Sequence, residues 1–182
     1  MAEVQHRYVA LLRGINVGGH TIIRRDDLRK LFESFGLADV TTYNQSGNVL
    51  FTTTEIESKG LAQQLEKRLA DSFEAHIKVF ILSPAELKKA AAHNPFEPEH
   101  RDQEQCCHLI FLSAKPDEVS SARLMTLQGE EYQFYIHDKV LYYVYPRRSE
   151  RRRRTIDFEK VLGVIGTART WKVVNKLIEL SS

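Results

Sequence analysis

At 182 residues, 42% of them hydrophobic, the chain is long enough to bury a real core, either as one domain or as two small ones. Its 26 Lys and Arg against 24 Asp and Glu leave a formal charge of +2, so the bulk charge implies no polyanionic partner. No apolar run approaches the roughly 20 residues that cross a bilayer, and Met1 to Arg7 lacks a signal-peptide pattern, so a soluble cytoplasmic protein is expected.

In chain order, an apolar run with strand character, Tyr8 to Leu12, ends at Arg13 and opens into a loop carrying Gly14, Asn16, Gly18 and Gly19. Leu28, Leu31, Phe32 and Phe35 then recur at helical spacing, with Asp26 and Asp27 in the first turn and Gly36 as a stop. The β-rich runs Val40–Tyr43 and Asn48–Thr53 flank Gln45-Ser46-Gly47, which predicts a hairpin. A helix starting near Ser58 stacks Leu61, Leu65, Leu69 and Phe73, and Ile77–Leu82 is the next strand. The order β-α-β-β-α-β is that of a ferredoxin-like unit.

Ser83-Pro84-Ala85-Glu86 combines an N-cap, a first-turn proline and a capping glutamate, and Asn94-Pro95 ends the helix that follows. The polar stretch from Glu97 to Gln105 reads as a linker. The two cysteines, Cys106 and Cys107, are adjacent. Neighbours on a strand point to opposite faces and two thiols alone make no metal site, so free thiols in a reducing compartment are expected. A strand over Cys107–Leu112 leads to a helix beginning at Pro116 and carrying Val119, Ala122 and Leu124 or Met125. Strands Tyr132–Ile136 and Val140–Tyr145 follow, then a helix with Phe158, Val161, Leu162 and Ile165, and a last one with Trp171, Val174, Leu177 and Ile178.

Strand, helix, hairpin and helix thus occur twice. The expected fold is α+β, a tandem pair of ferredoxin-like subdomains, with residues 1–82 as the first, 83–105 as a connecting helix and linker, and 106–182 as a second without a clear closing strand. In a standard unit of this kind the first and third strands are antiparallel neighbours, so the glycine loop and the Gln45-Ser46-Gly47-Asn48 turn are expected to meet at one sheet edge.

Four segments carry a resemblance: Arg13-Gly14-Ile15-Asn16-Val17-Gly18-Gly19, Tyr43-x-Gln45-Ser46-Gly47-Asn48-Val49, Asn94-Pro95-Phe96, and Thr167-x-Arg169-x-Trp171. In order and spacing they resemble DUF1697, a bacterial family of unknown function. The resemblance implies tandem ferredoxin-like subdomains and supplies no activity, substrate or cofactor. The polar pairs usual in that family near the C-terminus are replaced here by Ser149-Glu150, Thr170 and Val173.

Chemically, backbone N–H groups of the loop can converge on an oxyanion, Arg13 can add a guanidinium fork, and Asn16, Gln45, Ser46 and Asn48 supply neutral donors and acceptors. With Gly18 and Gly19 these residues form a candidate site for an anionic small molecule or nucleotide. It is neither a Walker loop nor a dinucleotide fingerprint, and Asp26-Asp27 oppose an anion at the following helix start. The alternative is that the glycines relieve turns and the polar side chains tie two loops together.

Ser46 lies outside a nucleophile elbow. The seven histidines have no metal-ligand spacing, and among them His20, beside the loop, is the candidate acid or base. No cofactor is indicated, and whether the protein is an enzyme stays open, with a hydrolase or transferase as a distant third reading. The alternative partner is nucleic acid. Arg147, Arg148, Arg151, Arg152, Arg153 and Arg154 gather all the excess positive charge, with Tyr142, Tyr143 and Tyr145 upstream as candidate stacking surfaces, against the alternative of a solvated charge run.

Overall fold

The apolar run at the start of the chain forms the strand β1 (His6–Leu12), which pairs antiparallel with β3 (Asn48–Thr53) on one side and β4 (Val79–Leu82) on the other. In the computed structural model, which describes residues 4–18, 21–54, 58–96, 107–129, 132–145 and 156–182, β2 (Ala38–Tyr43) completes a four-stranded sheet of order β2-β3-β1-β4. Side chains alternate between sheet faces. Tyr8, Ala10, Leu12, Val49 and Phe51 face α1 (Arg25–Ser34) and α2 (Ser58–Phe73), where they pack with Leu28, Phe32, Leu61, Leu65 and Leu69. Val9, Leu11 and Leu50 point to the other face and are also fully buried, which is why β1 reads as a continuous apolar run rather than an alternating one.

The helix α3 (Pro84–Ala92) starts as its sequence dictates: the Ser83 N–H donates to Glu86 Oε2 at 2.7 Å and the Glu86 N–H donates to Ser83 Oγ at 3.2 Å. A second sheet of order β6-β7-β5-β8 follows, built from β5 (Cys107–Leu112), β6 (Gln133–His137), β7 (Val140–Val144) and β8 (Gly166–Thr170). All of its pairings are antiparallel. Ile110, Leu112, Tyr132, Phe134 and Leu141 pack against Leu124 of α4 (Glu118–Met125) and Leu162 of α5 (Phe158–Leu162). On the opposite face Leu109, Phe111 and Tyr142 are buried. The chain ends in α6 (Trp171–Ser181). By proximity it divides into two units, residues 1–88 with 177–182 and residues 89–176.

The two sheets repeat one hydrogen-bonding plan. Leu12 N–H donates to Gly47 C=O and Arg13 N–H to Lys78 C=O in the first, while Leu112 N–H donates to Lys139 C=O and Ser113 N–H to Ile165 C=O in the second. The expectation that the second half lacks a closing strand is therefore corrected: β8 pairs with β5 from Leu112↔Gly166 to His108↔Thr170. Its sequence Gly-Thr-Ala-Arg-Thr hides the strand because Gly166 and Ala168 are poor strand formers in isolation. Two helix expectations change as well. The helix α5 stops at a left-handed Gly163 with Ile165 exposed beyond it. In α4, capped by Asp117, Val119 is 80% exposed while Leu124 faces the core.

Candidate functional site

The β1–α1 loop and the β2–β3 turn meet at one sheet edge, and a single side chain holds them there. Asn16 Nδ2 donates to Gln45 C=O at 2.6 Å and to Ile23 C=O at 3.0 Å, while its Oδ1 accepts the Ile23 N–H at 2.9 Å. One amide thus ties the two ends of its own loop to the neighbouring turn. Beneath it Ile15 is buried against the turn. A Cβ on Gly47 would stand 2.9 Å from both Ile15 Cγ1 and Leu12 Cβ, so the close approach requires glycine at that position.

The turn itself is braced from inside. Asn48 is fully buried, and its Nδ2 donates to Tyr43 C=O at 3.1 Å and to Ser46 Oγ at 3.3 Å. Ser46 Oγ accepts that bond, and Ser46 itself is half-buried. No histidine or carboxylate bond to Ser46 occurs among the described residues, so nothing there would raise its nucleophilicity.

Arg13, Gly14, Val17, Gly18 and Gln45 are exposed at this edge. Of the other cations nearby, Lys78 Nζ is paired with Glu66 at 3.0 Å, and the Arg25 guanidinium is bonded to Thr42 Oγ1 and C=O. Asp26 and Asp27 occupy the first turn of α1, where their charge opposes an anion at the helix start. Gly19 and His20 lie outside the described residues.

The structure joins Asn16 to Gln45 and Asn48 to Ser46, leaves Arg13 and Gly18 exposed in the loop that carries Asn16, and so divides these residues. Asn16 and Asn48 are the frame, whereas Arg13, Gly18, Gln45 and Ser46 face outward. Backbone strain marks the same loop. Gly14, Asn16 and Gly18 have positive φ, and so does Thr21 at 48°, a conformation that costs a β-branched residue on the order of 1–2 kcal/mol.

The other candidates fare differently. The arginine run from Arg147 to Arg154 lies outside the described residues. Of the tyrosines upstream, Tyr142 offers no stacking surface. It is fully buried, its Oη donates to Ala90 C=O at 2.7 Å, and burial pushes the phenol well above its ordinary value. Tyr143 is packed among Tyr132, Phe134 and Phe158 on the helix-facing side, and Phe51 likewise lies in the core beneath α1 and α2.

Among the described residues no group of three or more His, Cys, Asp or Glu could hold a metal ion. The Asn94-Pro95-Phe96 motif is architectural: Asn94 Oδ1 accepts the Phe96 N–H at 3.1 Å and its Nδ2 contacts the buried Cys107 thiol at 3.5 Å. In the last motif, Arg169 is buried with Nη1 on Thr167 Oγ1 and Ala168 C=O, and burial draws it down to about 10, still charged at neutral pH. A buried strand arginine carries no periodic sequence signal, so its burial was not foreseeable from spacing.

A family model described as "Protein of unknown function (DUF1697)" matches residues 5–142. No curated protein matches the chain. Among solved structures, the conserved bacterial protein SP0830 from Streptococcus pneumoniae is similar with a TM-score of 0.73 at 19% identity, covering 98% of this chain and 100% of that one. At that identity the likeness speaks for the fold alone. No helix among the described residues is long and apolar enough to cross a membrane.

Proposed function

The chain belongs to the DUF1697 family of proteins of unknown function, and from that premise we propose that it binds an anionic small molecule or nucleotide at the edge formed by the β1–α1 loop and the β2–β3 turn. We read both units as ferredoxin-like, a reading supported by their shared strand order and antiparallel pairing. The observation that carries the binding proposal is a comparison between the units. The same strand-to-helix connection spans residues 113–117 in the second unit and residues 13–24 in the first. The extra length is not needed to make the connection, and a long loop fixed to a rigid sheet is where binding residues concentrate. This loop is held to the neighbouring turn by Asn16 and carries strain at Thr21, features that favour a pre-organised site.

In this reading Arg13 supplies the charged fork, the loop N–H groups around Gly14 and Gly18 approach the anion, and Ser46 Oγ and the Gln45 side chain donate from the turn. Asn16 and Asn48 act as positioning residues. The test is a thermal-shift screen of phosphate-bearing compounds. A ligand present at about 100 times its Kd stabilises by about 2.7 kcal/mol, a rise of roughly 5–10 °C for a chain of this size. Arg13→Ala should abolish most of that rise, measured for each protein against its own unliganded melting temperature. A flat response of the wild type across nucleotides, sugar phosphates and inorganic phosphate would overturn the proposal.

A further inference from the structure

Each sheet has two edge strands, and on three of the four edges a side chain bonds at least one outward backbone group. On β2, Arg7 Nη1 donates to Asp39 C=O and Arg25 Nη2 to Thr42 C=O, and the strand is bulged between Ala38 and Thr41. On β4, Glu66 Oε1 accepts the outward Val79 N–H at 3.0 Å. On β8, Glu159 Oε1 accepts the Gly166 N–H at 3.0 Å, and Arg169 Nη1 donates to Ala168 C=O at 2.7 Å. Charged caps and bulges of this kind are how a sheet edge is kept from pairing with another strand.

The fourth edge, β6, is different. Its five residues, Gln133 to His137, contain no Asp, Glu, Lys, Arg or Pro, and its register with β7 is unbroken. Which of its backbone groups face outward follows from the ladder. Leu112 N–H donates to Lys139 C=O, so Lys139, Leu141 and Tyr143 address β5, while Val140, Tyr142 and Val144 address β6. Their partners His137, Tyr135 and Gln133 therefore point inward, leaving the N–H and C=O of Phe134 and Ile136 pointing outward. Among the described residues no side chain or backbone group bonds to them.

We propose that β6 pairs antiparallel with β6 of a second copy of this chain, across a two-fold axis at Tyr135. The geometry is self-complementary. Phe134 exchanges both backbone bonds with the partner's Ile136, and Ile136 does so with the partner's Phe134, so all the outward groups are satisfied with none left over. Tyr135, 40% exposed, meets the partner's Tyr135 on one face as a non-hydrogen-bonded aromatic pair, the closer of the two pair types. Gln133 meets the partner's His137, and no like charges oppose each other. The ends also agree. The outer side of Tyr132 is filled by its bridge to Gly129, so a partner strand reaches no further than opposite Gln133, and β6 itself ends at His137.

Sedimentation velocity of the full chain over a wide concentration range tests this. The wild type is expected to pass from the 21.0 kDa monomer to a dimer of twice that mass. Tyr135→Glu sets like charges opposite each other across the axis and should raise the dimer dissociation constant at least about tenfold, as should Tyr135→Lys. An equimolar mixture of the two should recover a heterodimer. Because Tyr135 is a surface residue, circular dichroism of both variants should match the wild type. A wild type that stays monomeric throughout, or a dimer indifferent to both substitutions, would overturn the proposal.

Discussion

Gly47 is the residue at which the candidate site is most easily broken. Its φ is 72°, and an added Cβ would stand 2.9 Å from Ile15 and Leu12. Both contacts are with buried side chains that cannot swing away, so Gly47→Ala combines a left-handed penalty with overpacking, for a cost of about 2–4 kcal/mol. Gly14 has φ of 71° but nothing within 4 Å of an added Cβ, so Gly14→Ala meets only the backbone penalty, about 1–2 kcal/mol. Urea midpoints of the two variants should differ accordingly. Equal midpoints would mean that the turn does not press on the loop as the geometry indicates.

At the scale of elements, what was legible in the sequence was whatever a local pattern encodes. The capping box at Ser83, the helix over Leu61 to Phe73 and the hairpin at Gln45-Ser46-Gly47 all follow from spacing and turn chemistry, and all are present. The meeting of loop and turn was legible too, because the order of elements fixes which connections share an edge. What escaped notice was set by tertiary partners. The strand β8 is held in the sheet by β5, which is distant from it in the chain. The division of Asn16 and Asn48 from Arg13 and Ser46 depends on which way each side chain turns.

The helix α4 supplies an element-scale prediction. The Asp117 carboxylate accepts the Ser120 N–H at 2.7 Å and its hydroxyl at 2.9 Å, and these bonds hold its pKa below the ordinary 3.8. A depressed folded-state pKa means that the cap stabilises above pH 3.8 and that its contribution is lost as pH falls through the folded value. Asp117→Ala should therefore melt earlier than wild type at pH 7, with the gap closing well below pH 3.8. A gap independent of pH would assign the effect to something other than the charged cap.

For the molecule as a whole, the decisive feature is that the central strands of each sheet are buried on both faces. A sheet of this strand order that stacks bases must leave the face away from its helices open to solvent, with aromatic side chains upon it. At the centre of that face lie Val9, Leu11 and Leu50 in the first sheet and Leu109, Phe111 and Tyr142 in the second, none more than 3% exposed, whereas Tyr135 on the edge strand β6 beside Tyr142 is 40% exposed. Stacking there would require those core residues to be uncovered. Base stacking at the centres of these faces is thereby disfavoured, and binding through charge alone would fall steeply with salt and show no base preference. The burial is itself measurable. Leu50→Ala and Leu109→Ala should each cost about 2–5 kcal/mol, as much as Leu65→Ala on the helix-facing side, because truncating a core leucine loses both its transfer energy and the packing around the cavity. Residues on an open face would cost within about 0.5 kcal/mol. Denaturant titration of the three variants separates the cases. A near-neutral Leu50→Ala beside a damaging Leu65→Ala would show that the first sheet has an open face after all, and would restore the nucleic-acid reading that its burial now disfavours.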